Sequence, residues 1–228
     1  MSRTKGGSDD PLNYYRTPRA AVDTIADLLT PGIWLDAGCG DGAIMGALID
    51  HGLRCKGIET DSARLLQAGT AHGEVYYGNF LYMDRDSALR YDHIISNPPY
   101  NVAPDWIRRA NGLVDEGGLS VHLLRLGFLG SASKRLDLVG PDSELAHVVV
   151  LRNRPSFCLS TSCRICGGRW RFPTETAAKD ALHPEGCVHS GFRPMAKSPY
   201  TSSRTDSTDY AWFVWQRGWH GAATLEVR

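Results

Sequence analysis

Three things are scarce in this 228-residue sequence: long apolar runs, net charge, and cysteines outside one cluster. No apolar stretch approaches the roughly 18 residues that a membrane-spanning helix needs, so no membrane partner is expected. Lys and Arg number 25 against 25 Asp and Glu, so the chain as a whole has no polyanion-binding character. Neither an internal repeat nor a long low-complexity segment occurs. The opening residues are polar with Gly and Ser, and residues 1–11 are expected to form a disordered tail rather than a signal peptide. Four of the six cysteines crowd into residues 158–187. That clustering favours metal binding in a reducing, cytoplasmic setting over a disulfide framework.

The neutral average hides an uneven distribution. Residues 152–204 hold nine Lys and Arg against three acids, an excess of six positive charges balanced by a negative excess elsewhere. A basic third on an acidic body suggests a nucleic-acid surface, although a solvated basic loop has the same composition.

Elsewhere, strand-like and helix-like segments alternate. "TPRAAVDTIADLLTPG" reads as a helix with Thr17 as N-cap and Pro18 at its first position, stopped by Pro31-Gly32. "IWLDA", "RCKGIE", "EVYYGN", "YDHIIS", "LSVHLLRL" and "AHVVVL" read as strands, with helices over "AIMGALIDHG", "DSARLLQAGTAHG" and "APDWIRRANGLVDEGG". A short helix is expected near 131–138. "DYAWFVWQRG" and "AATLEVR" read as a closing hairpin that adds one antiparallel strand. This rhythm predicts an α/β fold with a doubly wound, mostly parallel sheet. Residues 159–204 break it and read as an inserted module, leaving 12–158 and 205–228 as the main domain.

Two motifs carry chemistry. "LDAGCGDG" sets Gly38, Gly40 and Gly42 between the first strand and its helix, where glycine permits a tight turn and close backbone approach to a ligand. Glu59 ends the second strand nineteen residues after Gly40, the place from which an acid grips ribose hydroxyls. Asp36 stands just before the loop and would repel a pyrophosphate, but suits a cofactor with a cationic amine. The second motif is "SNPPYN". Prolines cannot continue a ladder, so Pro98 and Pro99 end the strand and hold Asn97 and Tyr100 at its carboxyl end.

"LDAGCGDG", "GIET", "GNF" and "NPPY" occur in the order and spacing of the class I S-adenosylmethionine-dependent methyltransferases, which the chain resembles. "NPPY" is similar to the motif of enzymes that methylate planar nitrogen, and "YYRTP" and "TDSTDYAWFVW" resemble segments of small phage-type DNA N6-adenine methyltransferases. The resemblance implies a Rossmann-like fold, S-adenosylmethionine as cofactor, and double-stranded DNA as partner. It further implies catalytic roles for Asn97, Pro98, Pro99 and Tyr100, with Tyr100 stacking on a base flipped from the duplex. Tyr15, Thr17, Pro18, Asp36, Ala37, Gly38, Gly40, Glu59, Thr60, Asn79, Phe80 and Asn97 would hold the cofactor, with Asn79 in place of a more usual Asp. RNA adenine and protein glutamine methyltransferases share NPPY, so those substrates stay open.

The insertion matches none of this. "CRICGGRWRFPTETAAKDALHPEGCVHS" places Cys163-x2-Cys166, a strand-like "RWRF", a helix-like segment and His183-x3-Cys187 in succession. Two short-spaced pairs can supply four tetrahedral ligands to zinc, and an insertion with little core needs such a staple. Cys163, Cys166, His183 and Cys187 are the expected ligands of a structural zinc, with His189 and Cys158 as rivals for the fourth place.

Overall fold

The computed structural model describes residues 15–83, 90–130, 132–155, 159–162, 169–172 and 208–228. The chain divides into two compact units, Met1–Pro155 with Ser207–Arg228, and Ser156–Asp206. In the first unit, α1 (Arg19–Asp23) precedes β1 (Ile33–Ala37), α2 (Ala43–Asp50), β2 (Arg54–Glu59), α3 (Ser62–His72) and β3 (Val75–Tyr77). Then come β4 (Tyr91–Ser96), α4 (Ala103–Leu113), β5 (Val114–Arg125), α5 (Leu136–Val139) and β6 (Leu145–Val150). The second unit contains β7 (Leu159–Ser162) and β8 (Arg169–Phe172), an antiparallel pair with Leu159 opposite Phe172. The strand expected for "RWRF" is β8. The first unit closes with β9 (Tyr210–Gln216) and β10 (Thr224–Val227).

Eight strands form one mixed sheet in the order β10-β6-β9-β5-β4-β1-β2-β3. β9 runs antiparallel to both β5 and β6, and every other pairing in this sheet is parallel, as the alternation of elements predicts. The central strands are apolar on both faces: Trp34, Leu35, Ile94, Ile95, Leu123, Trp212 and Phe213 are all buried. Such runs suit strands covered by helices on each side. α4 buries Ala103, Trp106, Ile107 and Ala110, the spacing of one helical face. Asp61 caps α3 by accepting from the backbone N–H groups of Ala63 and Arg64, an arrangement worth about 1 kcal/mol.

Three expectations need correction. β9 and β10 are not a hairpin, because β6 lies between them and pairs parallel with β10. The apolar ladder of β9 is satisfied by β5 and β6, so the closing strand takes the outer edge of β6, where Arg228 N–H reaches the Val150 carbonyl. Thr17 is not a helix cap. Pro18 occupies that position in extended conformation, no side chain caps α1, and the helix lasts five residues before a 3-10 turn at Ala26–Leu28. Finally, α4 stops at Leu113, and Val114–Gly118 joins β5 through an irregularity between Tyr91 and His93 of β4.

Candidate active site

Parallel pairing of β1 with β2 and β4 brings three strand ends together. Beyond them lies a cavity of about 220 Å³, lined by Tyr15, Thr17, Gly38, Glu59, Asn79, Phe80, Asn97, Pro99 and Trp106 among others. This is where open α/β sheets bind ligands.

The glycine loop turns as its sequence demands. Gly38, Gly40 and Gly42 have φ of 70°, 57° and 85°, a region that only glycine adopts freely. A side chain at Gly38 would also bring a Cβ to 3.2 Å from the Trp106 ring, so the loop packs backbone against indole. Glu59 ties the loop to the next turn. One carboxylate oxygen accepts from Gly40 N–H at 2.7 Å, the other from Thr60 N–H at 2.7 Å and Asp61 N–H at 2.8 Å. The acid expected to hold a ligand therefore also holds the protein's own backbone.

Asp36 is fully buried, and neither carboxylate oxygen has a hydrogen-bond partner among the described residues. Burial raises its pKa well above the carboxylate range, and the nearby charges of Glu59 and Asp41 add to this, while the dipole of the Met45 backbone N–H, without hydrogen-bond geometry to either oxygen, opposes it. Arg16 fastens the segment before α1 to the loop by an ion pair from its Nε to Asp41 at 2.7 Å.

Asn97 stands at the cavity with its carboxamide held on both sides. Its Nδ2 donates to the Tyr15 carbonyl at 3.0 Å and to Thr17 Oγ1 at 3.1 Å, and its Oδ1 accepts from the Tyr100 hydroxyl at 2.9 Å. The Tyr100 ring stacks on Tyr15 with centroids 5.9 Å apart, tilts against Tyr210, and carries the Arg125 guanidinium 5.2 Å from its centroid. Phe80 is buried against Trp106 at 4.8 Å with Arg109 over its face at 5.6 Å. Asn79 is exposed, and its Oδ1 accepts from Leu81 N–H to shape the turn after β3.

Of the residues named from the sequence, Tyr15, Thr17, Gly38, Glu59, Thr60, Asn79, Phe80, Asn97 and Pro99 line the cavity. Pro18, Asp36, Ala37, Gly40, Pro98 and Tyr100 do not line it, although Gly40 and Tyr100 hydrogen-bond to Glu59 and Asn97, which do. Sequence reasoning missed Trp106 and Arg64 on the lining and Arg125 on Tyr100. A tryptophan on an amphipathic helix reads as core, and only the glycine loop's approach gives it a second role. Cys163, Cys166, His183 and Cys187 lie outside the described residues. Among the described residues no group of three or more His, Cys, Asp or Glu could hold a metal, and no helix is long and apolar enough to cross a membrane.

No family model matches the chain, and no curated protein matches it. Solved structures do. A proposed RNA methyltransferase from Pyrococcus horikoshii matches with a TM-score of 0.55 at 14% identity, over 92% of this chain and 92% of its own. A proposed class I S-adenosylmethionine-dependent methyltransferase from Listeria monocytogenes matches with a TM-score of 0.53 at 10% identity, over 92% of this chain. This chain spans 62% of the length of that Listeria protein. With β9 antiparallel in an otherwise parallel sheet and the cavity at the strand ends, the chain has the Rossmann-like fold of the class I methyltransferases.

Proposed function

We propose that this protein transfers a methyl group from S-adenosylmethionine to the exocyclic N6 amino group of adenine in DNA. One observation carries the reading: Asn97, at the head of Asn-Pro-Pro-Tyr, shares a cavity with Gly38, Glu59, Asn79 and Phe80. The residues fit the cofactor. Asp36 offers a buried carboxylate with unpartnered oxygens beside the loop, suited to a nearby ammonium. Glu59 ends β2 where ribose hydroxyls would lie, and Asn79 and Phe80 offer a polar edge and an apolar face to adenine. When bound, S-adenosylmethionine supplies a methyl carbon activated by its sulfonium.

The chain's own task is to make an amine nucleophilic. The nitrogen's lone pair is delocalised into the ring, and acceptors for its hydrogens favour the sp³ form that frees it. Asn97 Oδ1 is one such acceptor, and the Pro98 carbonyl, rigid because proline fixes φ, is the other. Preorganised acceptors of this kind need no reorganisation as charge develops. A base stacking on Tyr100 would take the place of Tyr15 or Arg125, and the stacking offsets part of the few kcal/mol needed to unstack it.

The basic second unit is read as a zinc-stapled DNA clamp, with Cys163, Cys166, His183 and Cys187 as ligands. Elemental analysis of the purified protein should give one zinc per chain, and absence of bound metal from protein prepared without chelator would remove the staple. A second acceptor, adenine in RNA, is favoured by the likeness to the proposed Pyrococcus RNA methyltransferase. Transfer of tritium from labelled cofactor to duplex DNA, structured RNA and protein decides among them. Label in N6-methyladenine of DNA is expected. Label confined to RNA or protein would overturn the DNA assignment, and none in any acceptor would overturn methyl transfer.

A further inference from the structure

We infer that Thr17 is a positioning residue that, with the Tyr15 carbonyl, fixes Asn97 as a hydrogen-bond acceptor toward the target group. The inference rests on the methyl-transfer reading above. A carboxamide has four hydrogen-bonding positions, two N–H donors and two oxygen lone pairs. In Asn97 the protein fills three of them. Both Nδ2 hydrogens are taken, by Tyr15 O at 3.0 Å and Thr17 Oγ1 at 3.1 Å, and one lone pair of Oδ1 is taken by the Tyr100 hydroxyl at 2.9 Å. What remains is one lone pair.

The orientation is not arbitrary. A backbone carbonyl can only accept, so the nitrogen of Asn97 must face Tyr15. Turning the carboxamide over would set oxygen against oxygen there and leave Thr17 to rotate its hydroxyl. Thr17 is buried, 3% exposed, so no solvent takes the amide's place when it turns. Its partner lies 80 residues away in sequence. The segment before α1 thus reaches across to the end of β4 and sets which end of Asn97 meets the ligand.

This has a consequence for the substrate. An Asn97 held in this way has no N–H left to give, so it recognises a group that donates. An exocyclic amine or a primary amide meets the requirement. A carbonyl or an unprotonated ring nitrogen presents a second acceptor to Oδ1 and is rejected.

The test has an arm that needs no turnover. In protein labelled with ¹⁵N at asparagine, both Asn97 Nδ2 protons should be resolved and protected from solvent exchange. In Thr17→Val one of them should lose protection, and in Thr17→Ser it should be restored. Fast exchange of both in the wild type, or unchanged protection in a folded Thr17→Val, would overturn the lock whether or not the protein is a methyltransferase. In turnover, Thr17→Val should lower kcat about five- to tenfold at saturating cofactor, the worth of one hydrogen bond, with Thr17→Ser near wild type. A kcat within twofold of wild type would equally overturn it. A wild type without activity on any acceptor would instead remove the methyl-transfer reading and leave the exchange measurement to decide the lock.

Discussion

Ser96 Oγ lies 2.7 Å from Nδ1 of His122, joining the residue before Asn97 to the middle of β5. The indole of Trp106 donates to the same oxygen at 3.1 Å, and His122 Nε2 meets Ser120 Oγ at 2.8 Å. Because the indole can only donate, Ser96 Oγ accepts from Trp106, and a further hydrogen bond joins it to the ring of His122. Burial pushes its pKa down to about 3, so the ring is neutral in the fold.

This neutral histidine should make the protein acid-labile. Its folded pKa lies below the unfolded one, so its share of stability is complete above pH 6.5 and lost as pH falls toward 3. At about 1.4 kcal/mol per unit, the loss at pH 4 is about 3 kcal/mol. Urea unfolding at pH 7 and pH 4 measures it, and His122→Gln should show a visibly smaller difference. An equal slope in both proteins would assign the acid sensitivity elsewhere.

Asp36 should act with the opposite sign. Its folded pKa is raised, so its contribution is complete below the ordinary carboxylate range and declines as pH rises through the folded value. The stability of Asp36→Asn relative to wild type should improve as pH rises above the ordinary carboxylate range, while cofactor affinity falls. A gap that does not change with pH would mean that the carboxyl is not strained by burial.

Glu59→Ala removes three backbone hydrogen bonds together with the proposed ribose contacts. Cofactor affinity should fall more than about tenfold, and unfolding stability by about 2–3 kcal/mol, as loop N–H groups lose their acceptor. Calorimetric titration and denaturant unfolding report the two separately. Full affinity in a destabilised variant would leave Glu59 with the loop alone.

Asn97→Ala should lower methyl transfer by a factor of about 10² or more while cofactor affinity stays within a few-fold. Single-turnover kinetics with labelled cofactor would show it. Retention of more than about a tenth of the wild-type rate contradicts the role of Oδ1.

The paired change Arg169→Ala and Arg171→Ala addresses the clamp. For every phosphate that an arginine no longer neutralises, the slope of log K against log salt should fall by about 0.9, with cofactor affinity unchanged. An unaltered salt slope in a folded double variant would leave the second unit without a DNA role.

Legibility in the sequence follows the range of the interaction. β1, β2 and β4 and the glycine loop can be read because their signals are local: apolar runs, turn residues and glycines that need positive φ. The helix start at Thr17 misleads because Thr followed by Pro satisfies a local cap rule, whereas its hydroxyl is engaged by a residue far along the chain. β10 misleads for the same reason. Adjacent strands in sequence suggest a hairpin, but the occupied ladder of β9 decides otherwise. The link between Ser96 and His122 leaves no local trace, since each side chain alone reads as a buried polar residue on a strand.

The position of β9 also governs how the molecule can assemble. Leu119 to His122 of β5 pair with β4 on one side, and Leu119 to Arg125 pair with Tyr210–Gln216 on the other, so one edge waits for a segment about 90 residues downstream. During synthesis the apolar β5 and β6 emerge long before the strand that joins them. Until β9 arrives, both present open backbone edges flanked by buried-type side chains, the state most exposed to pairing with another chain. The whole of the second unit is made in that interval, so its length sets how long the half-built sheet must stay soluble.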